Sequence, residues 1–233
     1  MELCIFNKIE DDLCIKGILE KDNVIVLRNI IEFSETEGVT SSAIKEYVAT
    51  RLANDDNILS RLAQAGKFIG DDLYRLAKFD IEQIYKKLFS TQIKYAPSGN
   101  TIGFSNGYVA SIRAITESKS AQELLDLLIE HYRKFGSGIL AKYNAFRYDG
   151  ELIGVSNTDD ITFDSLVGIE YQKQVLIDNT KAFVSGKAAN NVLLFGDRGT
   201  GKSSSVKALL NMFCDDGLRI IEMPKHCIKD IPS

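Results

Sequence analysis

Eight residues constrain this chain more than any others. Gly196-Asp197-Arg198-Gly199-Thr200-Gly201-Lys202-Ser203 has the spacing G-x-x-x-x-G-K-[ST], in which backbone amides cradle phosphate groups. Phosphate oxygens concentrate negative charge, and a tight turn of N–H groups opening into a helix N-terminus meets them with donors already in place. Side chains obstruct such a turn, so Gly196, Gly199 and Gly201 supply the missing Cβ atoms and tolerate the positive φ values it needs. Lys202 is the expected catalytic cation, reaching the β- and γ-phosphates. Ser203 is the expected Mg²⁺ ligand, and Asp197, Arg198, Thr200 and Ser204 complete the expected cofactor-binding loop.

The motif has meaning only with a strand before it and a helix after it. Asn191-Val192-Leu193-Leu194-Phe195 is a short apolar, β-prone run and predicts a buried parallel strand. Val206, Leu209, Leu210 and Phe213 recur at helical spacing, and Gly217 is placed to end that helix. Leu218 to Met223 reads as the next strand. Strand, loop, helix and strand make a βαβ unit with a right-handed crossover.

Composition narrows the alternatives. The chain has 233 residues, 45% hydrophobic and 26% charged, enough for one large or two small soluble domains. Its net charge of −4 carries no electrostatic footprint for nucleic acid. No run approaches the roughly 18 apolar residues of a membrane span. The start Met-Glu-Leu-Cys-Ile-Phe-Asn-Lys lacks a secretory signal, so the expected location is cytoplasmic. Cys4, Cys14, Cys214 and Cys227 form no Cys-x-x-Cys pair and no metal-like cluster with the only histidines, His131 and His226. Free thiols are expected.

Residues 1 to about 140 read as mainly helical. Val24, Val26, Leu27, Ile30 and Ile31 fit one helical face. Thr40-Ser41-Ser42 can cap a helix through Ile44, Val48 and Leu52. Asp80 with Gln83 resembles a capping box ahead of Ile81, Ile84, Tyr85 and Leu88, and Ser120 with Glu123 is a clearer one, opening a helix through Leu124, Leu127, Leu128 and His131 to Gly136. This box makes the mixed acidic and apolar segment Asp126 to Glu130 part of that helix, its charges facing solvent. Ala96-Pro97-Ser98-Gly99-Asn100 reads as a turn. Ala145 to Tyr148 and Glu151 to Val155 flank Asp149-Gly150, a two-residue hairpin turn. Polar Ser156 to Asp160 follows as a linker. The expected domains are therefore 1–157, mainly helical, and 158–233. Within the second, a helix through Gln172, Val175, Leu176, Asn179 and Phe183 ends near Gly186.

The segment Leu166-Val167-Gly168-Ile169-Glu170-Tyr171-Gln172-Lys173, with Asn179-Thr180, Ala189-Asn190-Asn191-Val192-Leu193-Leu194 and the loop through Ser204, resembles AAA+ ATPase modules. It is closest to an uncharacterised bacterial ATP-binding family catalogued as domain of unknown function 815. The likeness covers residues 140 to 233; the first 140 are similar only to the family's variable helical leader. It implies an α-rich α/β fold: a helical N-terminal region followed by the first βαβ part of a P-loop NTPase domain. It also implies Val167, Gly168 and Ile169 beside the adenine, ATP and Mg²⁺ as cofactors, homo-oligomerisation, and a protein partner for the helical leader.

The acidic strand end, polar sensor and arginine finger that such ATPases use cannot be placed after Ser203, except for Glu222 following Ile220-Ile221, which sits one strand too early. The chain is accordingly expected to be the N-terminal part of a longer ATPase that couples Mg–ATP to conformational change and to hydrolyse little by itself. A P-loop kinase of a small molecule and a non-catalytic nucleotide-binding module are the alternatives.

Overall fold

A computed structural model describes residues 1–38, 42–89, 104–156 and 158–230. The fold is α/β and helix-rich with one small mixed sheet. Two compact units divide at Lys142/Tyr143, fifteen residues before the boundary expected from the polar linker. The hairpin expected in the first domain groups with the second unit because its first strand pairs with a strand far downstream.

The first unit is a helical bundle around one continuous core. Its helices are α1 (Leu13–Glu20), α2 (Asn23–Glu37), α3 (Ala43–Ala53), α4 (Ile58–Gln64), α5 (Asp71–Ile84), α6 (Asn106–Thr116), α7 (Ala121–Phe135) and α8 (Ile139–Lys142). Asp12 and Asp22 cap α1 and α2 by accepting N–H bonds from Ile15 and from Val24 and Ile25. Gly17 lets these two helices approach: a Cβ there would lie 3.0 Å from Val26 Cγ2.

The α2 stripe differs from the one expected. Val26, Ile30 and Phe33 are buried, whereas Val24, Leu27 and Ile31 are exposed, because only an i, i+4, i+7 row can face one neighbour. In α3 nearly every side chain is buried, as in a helix surrounded by others. Ser42 sits at its N-cap but makes no side-chain bond; Thr40, Ser41 and the turn at 96–100 lie outside the described residues.

Asp80 is a correction. It caps nothing on its own helix: it is fully buried inside α5, which begins nine residues earlier and continues as a π-helical turn, Tyr85–Phe89. Its carboxylate accepts the backbone N–H groups of Cys4, Ile5 and Phe6 at 2.6 to 3.1 Å, pinning the chain start to the core. Ser120 caps α7 as expected, accepting from Glu123 N. Glu123 Oε2 in turn accepts from Lys119 N, one residue before the cap. Asp126 and Glu130 lie exposed on α7, as the solvent-face reading expects.

In the second unit, β1 (Ala145–Tyr148) and β2 (Leu152–Val155) form the expected hairpin. Its loop has three residues rather than two, with Gly150 at φ +79 and Asp149 N bonded to Glu151 O. β3 (Ile220–Glu222) pairs parallel to β1, giving the order β2-β1-β3. The helices are α9 (Glu170–Val184) and α10 (Lys202–Phe213). After α9, Gly186 adopts φ +68 while Lys187 N bonds Ala182 O, a left-handed stop.

The strand expected before the loop is absent. Asn191 to Phe195 pairs with no described strand, with Leu193 83% and Phe195 88% exposed. A strand exists only where a neighbour supplies its ladder bonds, and no described strand supplies them to Asn191 to Phe195. The expected βαβ unit is therefore represented by its helix and second strand.

Among the described residues no helix is long and apolar enough to cross a membrane. All four cysteines are free.

Candidate phosphate-binding loop

The loop geometry follows from its glycines. Gly196, Gly199 and Gly201 adopt φ +140, +86 and +80, values that side chains with a Cβ disfavour. Gly201 is the N-cap of α10 and offers no side-chain cap. The first amides of that helix are thus left to whatever lies in the turn, and its dipole places partial positive charge there. Ser205 starts the helical ladder, its N and Oγ both bonded to Gly201 O.

Lys202 is folded into the loop. Its Nζ donates to Gly196 O at 2.9 Å, Asp197 O at 2.6 Å and Thr200 Oγ1 at 3.2 Å. Thr200 Oγ1 itself donates to Asp197 O. Three oxygens therefore hold the ammonium inside the turn, where a phosphate would have to compete for it or share it. Ser203 is exposed in the first turn of α10, and Ser204 is half-buried beside it. Asp197 and Arg198 are exposed on the loop.

Of the three residues expected near the base, Ile169 lies against the loop. A Cβ built on Gly201 would lie 3.9 Å from Ile169 Cδ1 and 3.8 Å from Leu166 Cδ2. Val167 is 89% exposed and Gly168 makes the turn at φ +83. Leu166 was not singled out as a site residue. The available signal was its i, i+3 spacing from Phe163, which is buried.

Further contacts hold the surroundings. Lys207 pairs with Asp159, and Asn211 Nδ2 donates to Asp159 O and Ile161 O at 2.9 Å, so part of the polar stretch expected to be a linker is clipped to α10. Asn179 exchanges two 2.9 Å bonds with the backbone of Asn190, fixing the approach to the loop on α9. Glu222 lies opposite Arg147 in register, its carboxylate 3.4 Å from the guanidinium, an exposed pair worth about 0–1 kcal/mol. A cavity of about 290 Å³ bounded by Phe183, Asn190, Val206, Leu209 and Ile220 contains none of the expected site residues.

Among the described residues no group of three or more His, Cys, Asp or Glu side chains could hold a metal ion. A Mg²⁺ at Ser203 would thus depend on phosphate oxygens and water for its other ligands. No curated protein and no solved structure matches the chain. Residues 141–233, which span the whole of the second unit, match the family described as Protein of unknown function (DUF815).

Proposed function

We propose that the loop Gly196 to Ser203 binds the phosphates of Mg–ATP and that the protein acts as an AAA+-like ATPase. The observation that carries this reading is the combination of three positive-φ glycines, an uncapped α10 N-terminus and the Lys202 ammonium held inside the turn. Backbone donors and one cation then converge on a single small volume, which suits a polyphosphate and little else.

In this reading Gly199, Thr200, Gly201 and Lys202 contribute amides, Lys202 exchanges its loop carbonyls for phosphate oxygens, and Ser203 offers its hydroxyl to Mg²⁺. The ion, when bound, supplies charge neutralisation at the phosphates. Leu166 and Ile169 supply apolar surface for the base. The helical unit serves partner recognition, and assembly into homo-oligomers completes the catalytic machinery.

Calorimetric titration of Mg–ATP into the protein and into Lys202→Ala tests the binding step. Losing a charged donor at the phosphates costs about 1.5–3 kcal/mol, so affinity should fall by roughly tenfold or more. Equal affinity in the two proteins removes Lys202 from the site.

A further inference from the structure

Helix α5 turns Ala77, Asp80, Ile81 and Ile84 into the core, and its opposite face is not uniformly polar. Phe79 stands at the crown of that face, 52% exposed, with Leu76 one turn before it at 44%. Exposed apolar residues are ordinary by themselves, but the order of the charges around these two is not. Asp72, Arg75, Glu82 and Lys86, all exposed, fall within about 60° of Phe79 at helical spacing. From the N-terminal end the face reads acid, base, apolar, apolar, acid, base. Read in the opposite direction, every charge changes sign.

A stripe of this kind is complementary to itself when two copies run antiparallel. A two-fold axis at Phe79 sets residues equally far before and after it against one another. Asp72 of one copy is then level with Lys86 of the other, and Arg75 lies about 1.5 Å of rise from level with Glu82. The two Phe79 rings meet at the axis with Leu76 beside them. Arg75 and Glu82 occupy the same rim, so their pair forms twice. A parallel pairing sets Arg75 against Arg75 and Glu82 against Glu82, which like-charge repulsion opposes. Within one chain Arg75 and Glu82 are two turns apart, about 10 Å along the helix, too far to pair. Arg75 reaches Asp72 at 3.5 Å with both side chains largely exposed, a contact that costs little to exchange.

We propose that the outer face of α5 is a homodimer contact: two copies pair this helix antiparallel about a two-fold axis at Phe79, with the rings at the centre and Arg75–Glu82 pairs on the rim. Phe and Arg are among the side chains enriched in such contacts, and a two-fold dimer requires a self-complementary patch. The contact does not depend on the nucleotide reading. One helix face buries less than the roughly 800 Å² per partner of a standard interface, so the dimer is weak, with a Kd on the order of 100 μM.

Sedimentation equilibrium of the full chain, without nucleotide and over concentrations bracketing that value, should show a monomer–dimer equilibrium. Arg75→Glu or Glu82→Arg sets like charges together twice in each dimer and should weaken association at least about tenfold. Mixed in equal amounts, the two variants should associate about as strongly as the wild type, because each supplies the charge that the other lacks. Phe79→Ser, at an exposed position, should abolish the dimer while circular dichroism stays helical. A wild type that remains monomeric, a dimer indifferent to Phe79→Ser or to either charge reversal, or a mixture no stronger than the single variants overturns the proposal.

Discussion

The buried carboxylate of Asp80 gathers the backbone at the start of the chain. It satisfies three backbone donors from residues 74 to 76 positions away, and its removal leaves them without that acceptor, Phe6 N in the buried core. Asp80→Ala should therefore lower unfolding stability by about 3–5 kcal/mol, with Asp80→Asn, which keeps one acceptor oxygen, losing roughly half as much. Urea unfolding reads both, and a loss under about 1 kcal/mol for the alanine variant contradicts the role. His131 makes a second residue-scale prediction. Burial lowers its pKa from 6.5 to about 4, so the unfolded state binds the proton more readily. Its contribution is fully present above pH 6.5 and is lost as pH falls from 6.5 toward 4. By pH 5 the loss should be about 2 kcal/mol, and His131→Phe should remove that part of the pH dependence. A wild-type slope that persists in the variant assigns the dependence elsewhere.

At the scale of elements, the strongest local signals matched the structure where they concerned neighbours in sequence. Ser120 opens α7, Gly186 closes α9, and the glycines of the loop take the backbone angles expected of them. Ser120→Ala should cost about 1 kcal/mol in stability, checked by thermal unfolding. What depends on distant partners was not legible. The Asp80-Gln83 spacing looks the same at a helix start and in a helix interior, and only the approach of residues 4 to 6 tells them apart. The apolar run at Asn191 to Phe195 reads as a buried strand, yet periodicity carries no information on whether a neighbouring strand is present. Helices α4 and α6 escaped notice, although Asn57 with Ser60 and Ser105 with Tyr108 are ordinary caps. In the hairpin, Gly154 is required by contact: a Cβ there would fall 2.2 to 2.6 Å from Cδ2, Cε2 and Cγ of the Tyr143 ring. Gly154→Ala must displace that ring or β2 and should destabilise the second unit by about 1–3 kcal/mol. An unchanged melting curve contradicts the packing.

For the whole molecule, the two units differ in how completely they bury their apolar residues. The first encloses a continuous core from Leu3 to Ala141, whereas the second leaves Phe183, Leu193 and Phe195 largely exposed. Local stability should follow this difference: native-state hydrogen exchange is predicted to be slowest in α3, α5 and α7 and fast at Asn191 to Phe195. Protection at those residues as strong as in α3 would contradict the description of the unpaired segment. The same experiment, run with and without Mg–ATP, addresses the central claim at the atoms that would make the contacts. Binding of phosphate to the turn predicts slowed exchange at the amides from Gly199 to Ser204, with weaker slowing in Lys202→Ala at a nucleotide concentration near the wild-type Kd. Unchanged exchange across that loop at saturating Mg–ATP would contradict it.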